Sequence, residues 1–313
     1  MMARRGRSFR FLLPVKRAFN RLLGFAVVGA LAVLRSINRQ RMAKVLGALM
    51  RVVGPWFPEH KVGRENLRAA FPEKSPEEIE KILGGVWDNL GRVAAEFAHI
   101  DRIVIQDLGH PERTPAPDII IDDVTYGRLK TLGDSAQPTV VFAAHLANWE
   151  FPALAPHQFG FPSSILYRRP NIGAASDAIV AMRERCMGTM VAAGLDAPLK
   201  LGRALESGGT VALLVDQHTS QGVDVVFFGR WAKANPLAVQ LARLTGAKIR
   251  GVRVVRLPDG NNFRAELTDE IAPVRNAEGE IDLQATTQAI TNVVEGWVRE
   301  HPEQWLWLHR RWR

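Results

Sequence analysis

His145 and Glu150 stand five residues apart in the stretch TVVFAAHLANWE, which covers residues 139–150. A carboxylate that accepts a hydrogen bond from one imidazole nitrogen fixes the tautomer. It leaves the other nitrogen free as a general base and stabilises the imidazolium formed when a proton is taken. On a continuous α-helix, positions five apart diverge by about 140°, because each residue turns about 100°. The two side chains can therefore meet only if the chain bends between them. The apolar run 140–143 reads as a short buried strand that delivers His145 to its end. A turn and a helix starting near Asn148 would supply the bend, with Asn as N-cap and Pro152 early enough to be tolerated. On spacing alone, a histidine beside a strand is more often a satisfied structural residue, so the pairing needs support from the rest of the chain.

That support comes from where other polar groups fall. The run 164–167 reads as a second strand followed by Arg168 and Arg169, and the nearly all-apolar run 210–215 ends at Asp216 and Gln217. In open α/β sheets ligands sit at the carboxyl ends of strands, so His145, Arg168 and Asp216 would share one site. The guanidinium groups suit bidentate binding of phosphate or carboxylate, although a solvated basic turn explains them equally well. Asp216 and His218, with His145 and His157, have none of the usual zinc spacings, and no metal is expected. There is no G-x-S-x-G elbow, phosphate-binding glycine loop or dinucleotide fingerprint. The single cysteine, Cys186, excludes a disulfide within the chain and reads as a buried thiol of a protein in a reducing compartment.

The elements that must position these groups alternate. Ser75-Pro76-Glu77-Glu78 opens a helix with Ser as N-cap, Pro at the first position and Glu at the third, followed by Ile79, Leu83, Val86 and Leu90 at helical spacing. Beyond a proline-punctuated connection at 111–123, strand patterns at 140–143, 164–167, 210–215 and 248–255 alternate with helical ones. The helical patterns cover much of 176–193, then 199–206, a segment from Asn235 to Gly246, and 283–300. The stretch 263–267 alternates by twos and reads as an antiparallel edge strand. The expected fold is α/β, a mixed and mostly parallel sheet flanked by helices.

The charge is uneven. The net +9 is concentrated in residues 1–58, which hold twelve Lys or Arg and no acid. Within them, residues 22–34 are an apolar run bounded by Arg21 and Arg35, shorter than the ~20 residues a spanning helix requires. A signal peptide, with Ala30-Leu31-Ala32 imitating a cleavage site, and a buried core helix are the competing readings. Basic apolar sequence continues through Val53, which favours a helical segment associated with an anionic membrane surface. Nucleic acid is not expected, because an apolar run among the cations fits lipid better. The expected organisation is a membrane-associating segment at 1–58 and an α/β domain at 59–313.

HLANWE resembles the H-x-x-x-x-D/E signature of glycerolipid-type acyltransferases, in the form carried by the lipid A secondary (lauroyl/myristoyl) acyltransferases. Further stretches agree in order from about Lys61 to the end: Asn66-Leu67, Phe71-Pro72-Glu73, Tyr167-Arg168, Asp216-Gln217, Phe227-Phe228-Gly229 and the ending HPEQWLWLHRRW at 301–312. The resemblance implies an O-acyltransferase that moves a fatty acyl chain from an acyl carrier protein thioester to a hydroxyl of a lipid A precursor, at the cytoplasmic face of the inner membrane and without a cofactor. It implies His145 as base and Glu150 as the group that orients it. Arg168, Arg169, Arg185, Asp216 and Gln217 would bind substrate, with Arg185 favoured over Arg183 by its place three residues before Gly188. Phe227-Phe228-Gly229 would be apolar wall, and the Trp/Arg ending either a membrane-interface segment or a packed tail. Another glycolipid or lysophospholipid as acceptor, or a lipid hydrolase or thioesterase using the same pair with water, are the alternative readings.

Overall fold

The central strand of the fold is the one that carries His145. The computed structural model describes residues 26, 29, 30, 32–169 and 174–312. In it β1 (Ile119–Ile120), β2 (Thr139–Ala143), β3 (Ser163–Tyr167), β4 (Thr189–Ala192), β5 (Thr210–Leu214), β8 (Lys248–Arg256) and β9 (Phe263–Glu270) form one sheet in the order β1-β9-β8-β2-β5-β3-β4. All neighbours are parallel except β8 and β9. Every residue of β2 is buried, as its unbroken apolar run requires of a strand covered on both faces. Val140 and Phe142 point into a core shared with α8 (Leu237–Thr245) and α9 (Leu283–Glu300). Val141 points into a second core with Phe151, Leu154 and Met182. This is the expected mixed, mostly parallel sheet between helices.

Two helices brace the end of the sheet that carries the site. α3 (Pro76–Phe97) begins with the expected capping box, in which the Ser75 hydroxyl and the Glu78 carboxylate each satisfy the other residue's backbone N–H. α1 (Arg39–Val53) crosses it so closely that a Cβ on Gly91 would lie 2.3 Å from the Leu46 carbonyl oxygen. Ala43 and Gly47 of α1 face inward, whereas Val45, Leu49 and Val52 are exposed together with Trp56 just beyond the helix. Much of the expected membrane segment 1–58 lies outside the described residues. Among those described, no helix is long and apolar enough to cross a membrane.

Two local expectations are corrected, and one hairpin was not foreseen. The stretch 176–193 is not mostly helix: α6 (Ala174–Glu184) stops and β4 pairs with β3. Gly188 lies at the break, where a Cβ would come 1.9 Å from Ser163 Oγ, an approach only glycine permits. The 263–267 strand is antiparallel as expected but is not the edge, because β1 pairs outside it through Ile119 and Ile120. Phe227-Phe228-Gly229 forms part of a hairpin of β6 (Val223–Phe227) and β7 (Arg230–Ala234), turned at Phe228 (φ 52°) and Gly229 (φ 69°). A turn with both central residues at positive φ suits strand twist, but a phenylalanine in the first position hides the usual sequence signal.

Candidate active site

Parallel pairing of β2 with β5 places Ala143 opposite Leu214, so the residues that follow each strand, His145 and Asp216, leave the sheet side by side. The His145 backbone N–H donates to Asp216 Oδ2 at 2.8 Å, and ring Nδ1–H donates to Oδ1 at 2.8 Å. Assigned from that partner, the tautomer leaves Nε2 with its lone pair. There it accepts from the side-chain amide of Gln217, whose Nε2 lies 3.2 Å away. Burial alone would lower the His145 pKa, but the charge and hydrogen bond of Asp216, with a smaller contribution from Glu150, outweigh it and hold the imidazole above its ordinary value. Burial would raise Asp216, yet the facing His145 and the backbone donor keep it ionised well below the usual carboxylate range. Trp305 Nε1–H, 2.7 Å from Oδ2, is a third donor to this carboxylate, which is only 3 % exposed.

The carboxylate on Nδ1 is thus Asp216, not Glu150. The bend between His145 and Glu150 exists, although it is not made by a helix starting at Asn148. Ala147 adopts φ 45°, costly for a residue with a Cβ, and is held there from outside the turn. Its N–H donates to the Gln304 carbonyl at 2.9 Å and its carbonyl accepts from Asn89 Nδ2 at 3.0 Å. Asn148 Nδ2 donates to Glu96 Oε2 at 2.9 Å, and Glu96 is paired in turn with the buried Arg256, which also reaches Asn89. Asn148 Oδ1 accepts from the Glu150 N–H at 3.2 Å, and a 3₁₀ turn, Phe151–Leu154, leads into α5 (Ala155–Phe159).

Glu150 turns instead to Arg183 of α6, which grips it through Nε at 2.9 Å and Nη2 at 2.5 Å. The bidentate geometry is the strong form of such a pair. His145, Glu150, Arg183, Arg168 and Gln217 all line one cavity of about 480 Å³. Its remaining wall is largely apolar, with Val141, Ile165, Met190 and Ala212 from the sheet and Leu129 and Leu132 beside them. A neutral imidazole nitrogen beside an apolar chamber whose polar lining includes two cations can deprotonate a hydroxyl or water next to a bound hydrocarbon chain.

Of the expected substrate-binding residues, Arg168 and Gln217 join this cavity and Asp216 stands directly behind it. Arg169 is exposed and pairs with Asp177. Arg185 lines a different cavity, with Ala32, Arg35 and Ala178. Arg183, in the last turn of α6, is the arginine that reaches Glu150, whereas Arg185 lies in the turn beyond the helix end. Phe227 and Phe228 do not line the cavity; both are buried against Trp305, Trp307 and Trp312. The C-terminal ending is the packed tail of the two readings, with Trp305, Trp307 and Arg311 buried. Cys186 is buried as expected, and burial pushes its thiol up to about 11, which leaves it no thiolate near neutrality.

Sequence reasoning passed over Asn89, Glu96, Arg256 and Gln304, which hold the turn, and Trp305, which holds Asp216. The only signal for the last two was their place in the ending HPEQWLWLHRRW. Comparison with protein families matches residues 11–313 to the model described as bacterial lipid A biosynthesis acyltransferase. No curated protein matches the sequence.

Proposed function

Because the chain belongs to the bacterial lipid A biosynthesis acyltransferase family, we propose that it transfers a fatty acyl group from an acyl carrier protein thioester to a hydroxyl of a lipid A precursor. The observation that carries this reading is the placement of His145 Nε2, with its lone pair free of Asp216, on the wall of the apolar cavity. The cavity takes the acyl chain, and the acceptor hydroxyl comes to Nε2.

In the proposed step the acceptor hydroxyl displaces the Gln217 amide from Nε2, and its proton passes to that nitrogen as the oxygen attacks the thioester carbonyl. The carbonyl electrons move onto oxygen, and when the tetrahedral adduct collapses the C–S bond breaks. The thiolate takes the proton from the imidazolium, so no protein nucleophile and no cofactor are required. Asp216 stabilises the imidazolium between the two transfers. Arg183, aligned by Glu150, has Nη1 uncommitted to that pair and presents positive charge to the oxyanion, the group that gains charge in the transition state. Arg168, exposed at the cavity, suits an anionic part of the acceptor or donor, and phosphates of the glycolipid are the natural ligand for a bidentate fork.

The exposed face of α1 supports membrane association. Val45, Leu49, Val52 and Trp56, the last 81 % exposed, lie beside Arg41 and Lys44 in a region that holds no acid before Glu59. Such a surface lies in an anionic interface, and we place the protein at the cytoplasmic face of the inner membrane. The test of the whole reading is incubation of the pure protein with an acyl carrier protein thioester labelled in its acyl chain, with and without a lipid A precursor. Label is expected in the glycolipid. Release of free fatty acid alone, whatever acceptor is added, would overturn transfer in favour of hydrolysis.

A further inference from the structure

We infer that Trp305 is a positioning residue for the His145–Asp216 pair, so that the C-terminal ending forms the rear wall of the site. This rests on the reading of His145 as the base. Asp216 Oδ2 receives two donors, the His145 backbone N–H at 2.8 Å and Trp305 Nε1–H at 2.7 Å, while Oδ1 receives the His145 ring. With Oδ2 held from two directions, the carboxylate cannot rotate about its Cβ–Cγ bond, and Oδ1 stays on Nδ1. The indole is itself fixed: it is 1 % exposed and packs edge-on against Trp307 at 4.6 Å and Phe227 at 5.7 Å.

The backbone around Trp305 is tied to the same strand end. Leu146 and Trp305 form an antiparallel bridge, and the Leu306 N–H donates to the His145 carbonyl at 3.1 Å. The segment therefore clamps His145 by its main chain and its carboxylate partner by the indole. A tail serving only to cover the core has no need of an indole N–H aimed at a buried anion, and phenylalanine would fill the space.

Trp307 provides the comparison. It is just as buried, but its Nε1–H donates to the Pro302 carbonyl at 2.7 Å and not to Asp216. The experiment measures Trp305→Phe and Trp307→Phe in the full chain by steady-state transfer kinetics, thermal melting and the ¹⁵N spectrum of histidine-labelled protein. The His145 signals would be assigned by their loss in His145→Gln. Trp305→Phe is expected to lower kcat about tenfold or more, the worth of a hydrogen bond to a charged group, with KM nearly kept. The His145 nitrogens should pass from a single Nδ1–H tautomer to a mixture. Trp307→Phe should lower the melting midpoint yet keep kcat and the His145 signals.

Equal loss of kcat in both variants, with the His145 tautomer unchanged in Trp305→Phe, would overturn the inference and leave packing as the role of both rings. If Trp305→Phe does not fold, β-(3-benzothienyl)alanine at 305 keeps the bicyclic shape without the N–H and carries the same expectations. A changed tautomer in Trp305→Phe, alongside normal transfer by His145→Ala, would uphold the positioning geometry while removing the catalytic reading.

Discussion

Asp216 and Glu150 are the two carboxylates that act on His145, and they stand in opposite surroundings. Asp216 is sealed behind the ring, receives donors from His145 and Trp305, and among the described residues is hydrogen-bonded by no arginine. Glu150 faces the cavity and is gripped on both oxygens by Arg183. One carboxylate is therefore free to hold an imidazolium, whereas the charge of the other is already largely matched by a guanidinium. A charge near a histidine and a partner of that histidine are different things. Here the partner is the residue 71 positions away, and the signature's own acid serves the cavity. In the proposed reaction Asp216 tunes the base and Glu150 tunes the cation that meets the oxyanion.

The largest effect that can break this division is His145→Ala. A positioned base contributes about 10²–10⁴-fold, and transfer is expected to fall by that factor with folding, followed by circular dichroism and melting, intact. Next comes Glu150→Gln, which keeps the size but not the charge that aligns Arg183. We expect kcat to fall on the order of tenfold to a hundredfold, within the span of a lost transition-state contact. A loss as deep as that of His145→Ala would place Glu150 in the orienting role after all.

A smaller change is expected for Arg168→Ala, which removes a cavity-lining cation outside both carboxylate pairs. KM should rise several-fold for one substrate while kcat is largely kept, the mark of binding shared by ground and transition states. An unchanged KM for both substrates would remove Arg168 from recognition. The smallest effect on chemistry is expected from α1, where serine at Val45, Leu49 and Trp56 together should reduce flotation with anionic liposomes. Turnover of detergent-dispersed substrates should persist. Undiminished flotation would contradict membrane binding by that face.

The strand ends were legible in the sequence because they depend on local pattern. Apolar runs, unbroken at 140–144 and at 211–215, each followed by a polar residue, are enough to deliver His145 and Asp216 to one edge of a parallel sheet. The partner of His145 was not legible, since side-by-side placement follows from β2 and β5 being neighbours in the strand order, and a pattern along the chain does not contain that order. Aromatic and basic composition was equally ambiguous at the two ends. Trp56 among cations is exposed, whereas Trp305 and Trp307 among cations are buried, because only the latter sit where the hairpin β6–β7 and the His145 turn close over them. Nor could propensity reveal that Ala147 is left-handed, for the reason lies in Asn89 and Gln304, which come from elsewhere in the chain.

The most direct test of the division between the carboxylates is the titration of His145 itself, followed by ¹⁵N shifts in histidine-labelled protein. In the wild-type chain its pKa should lie above the ordinary imidazole value of about 6.5, since the Asp216 charge outweighs burial. A base must be neutral to accept a proton, so activity should fall as pH drops through that raised value. In Asp216→Asn burial is left almost unopposed, and the His145 pKa should fall below the ordinary value. In Glu150→Gln it should fall only a little, because Asp216 remains. A larger fall in Glu150→Gln than in Asp216→Asn would contradict the account and return the orienting role to the carboxylate of the signature.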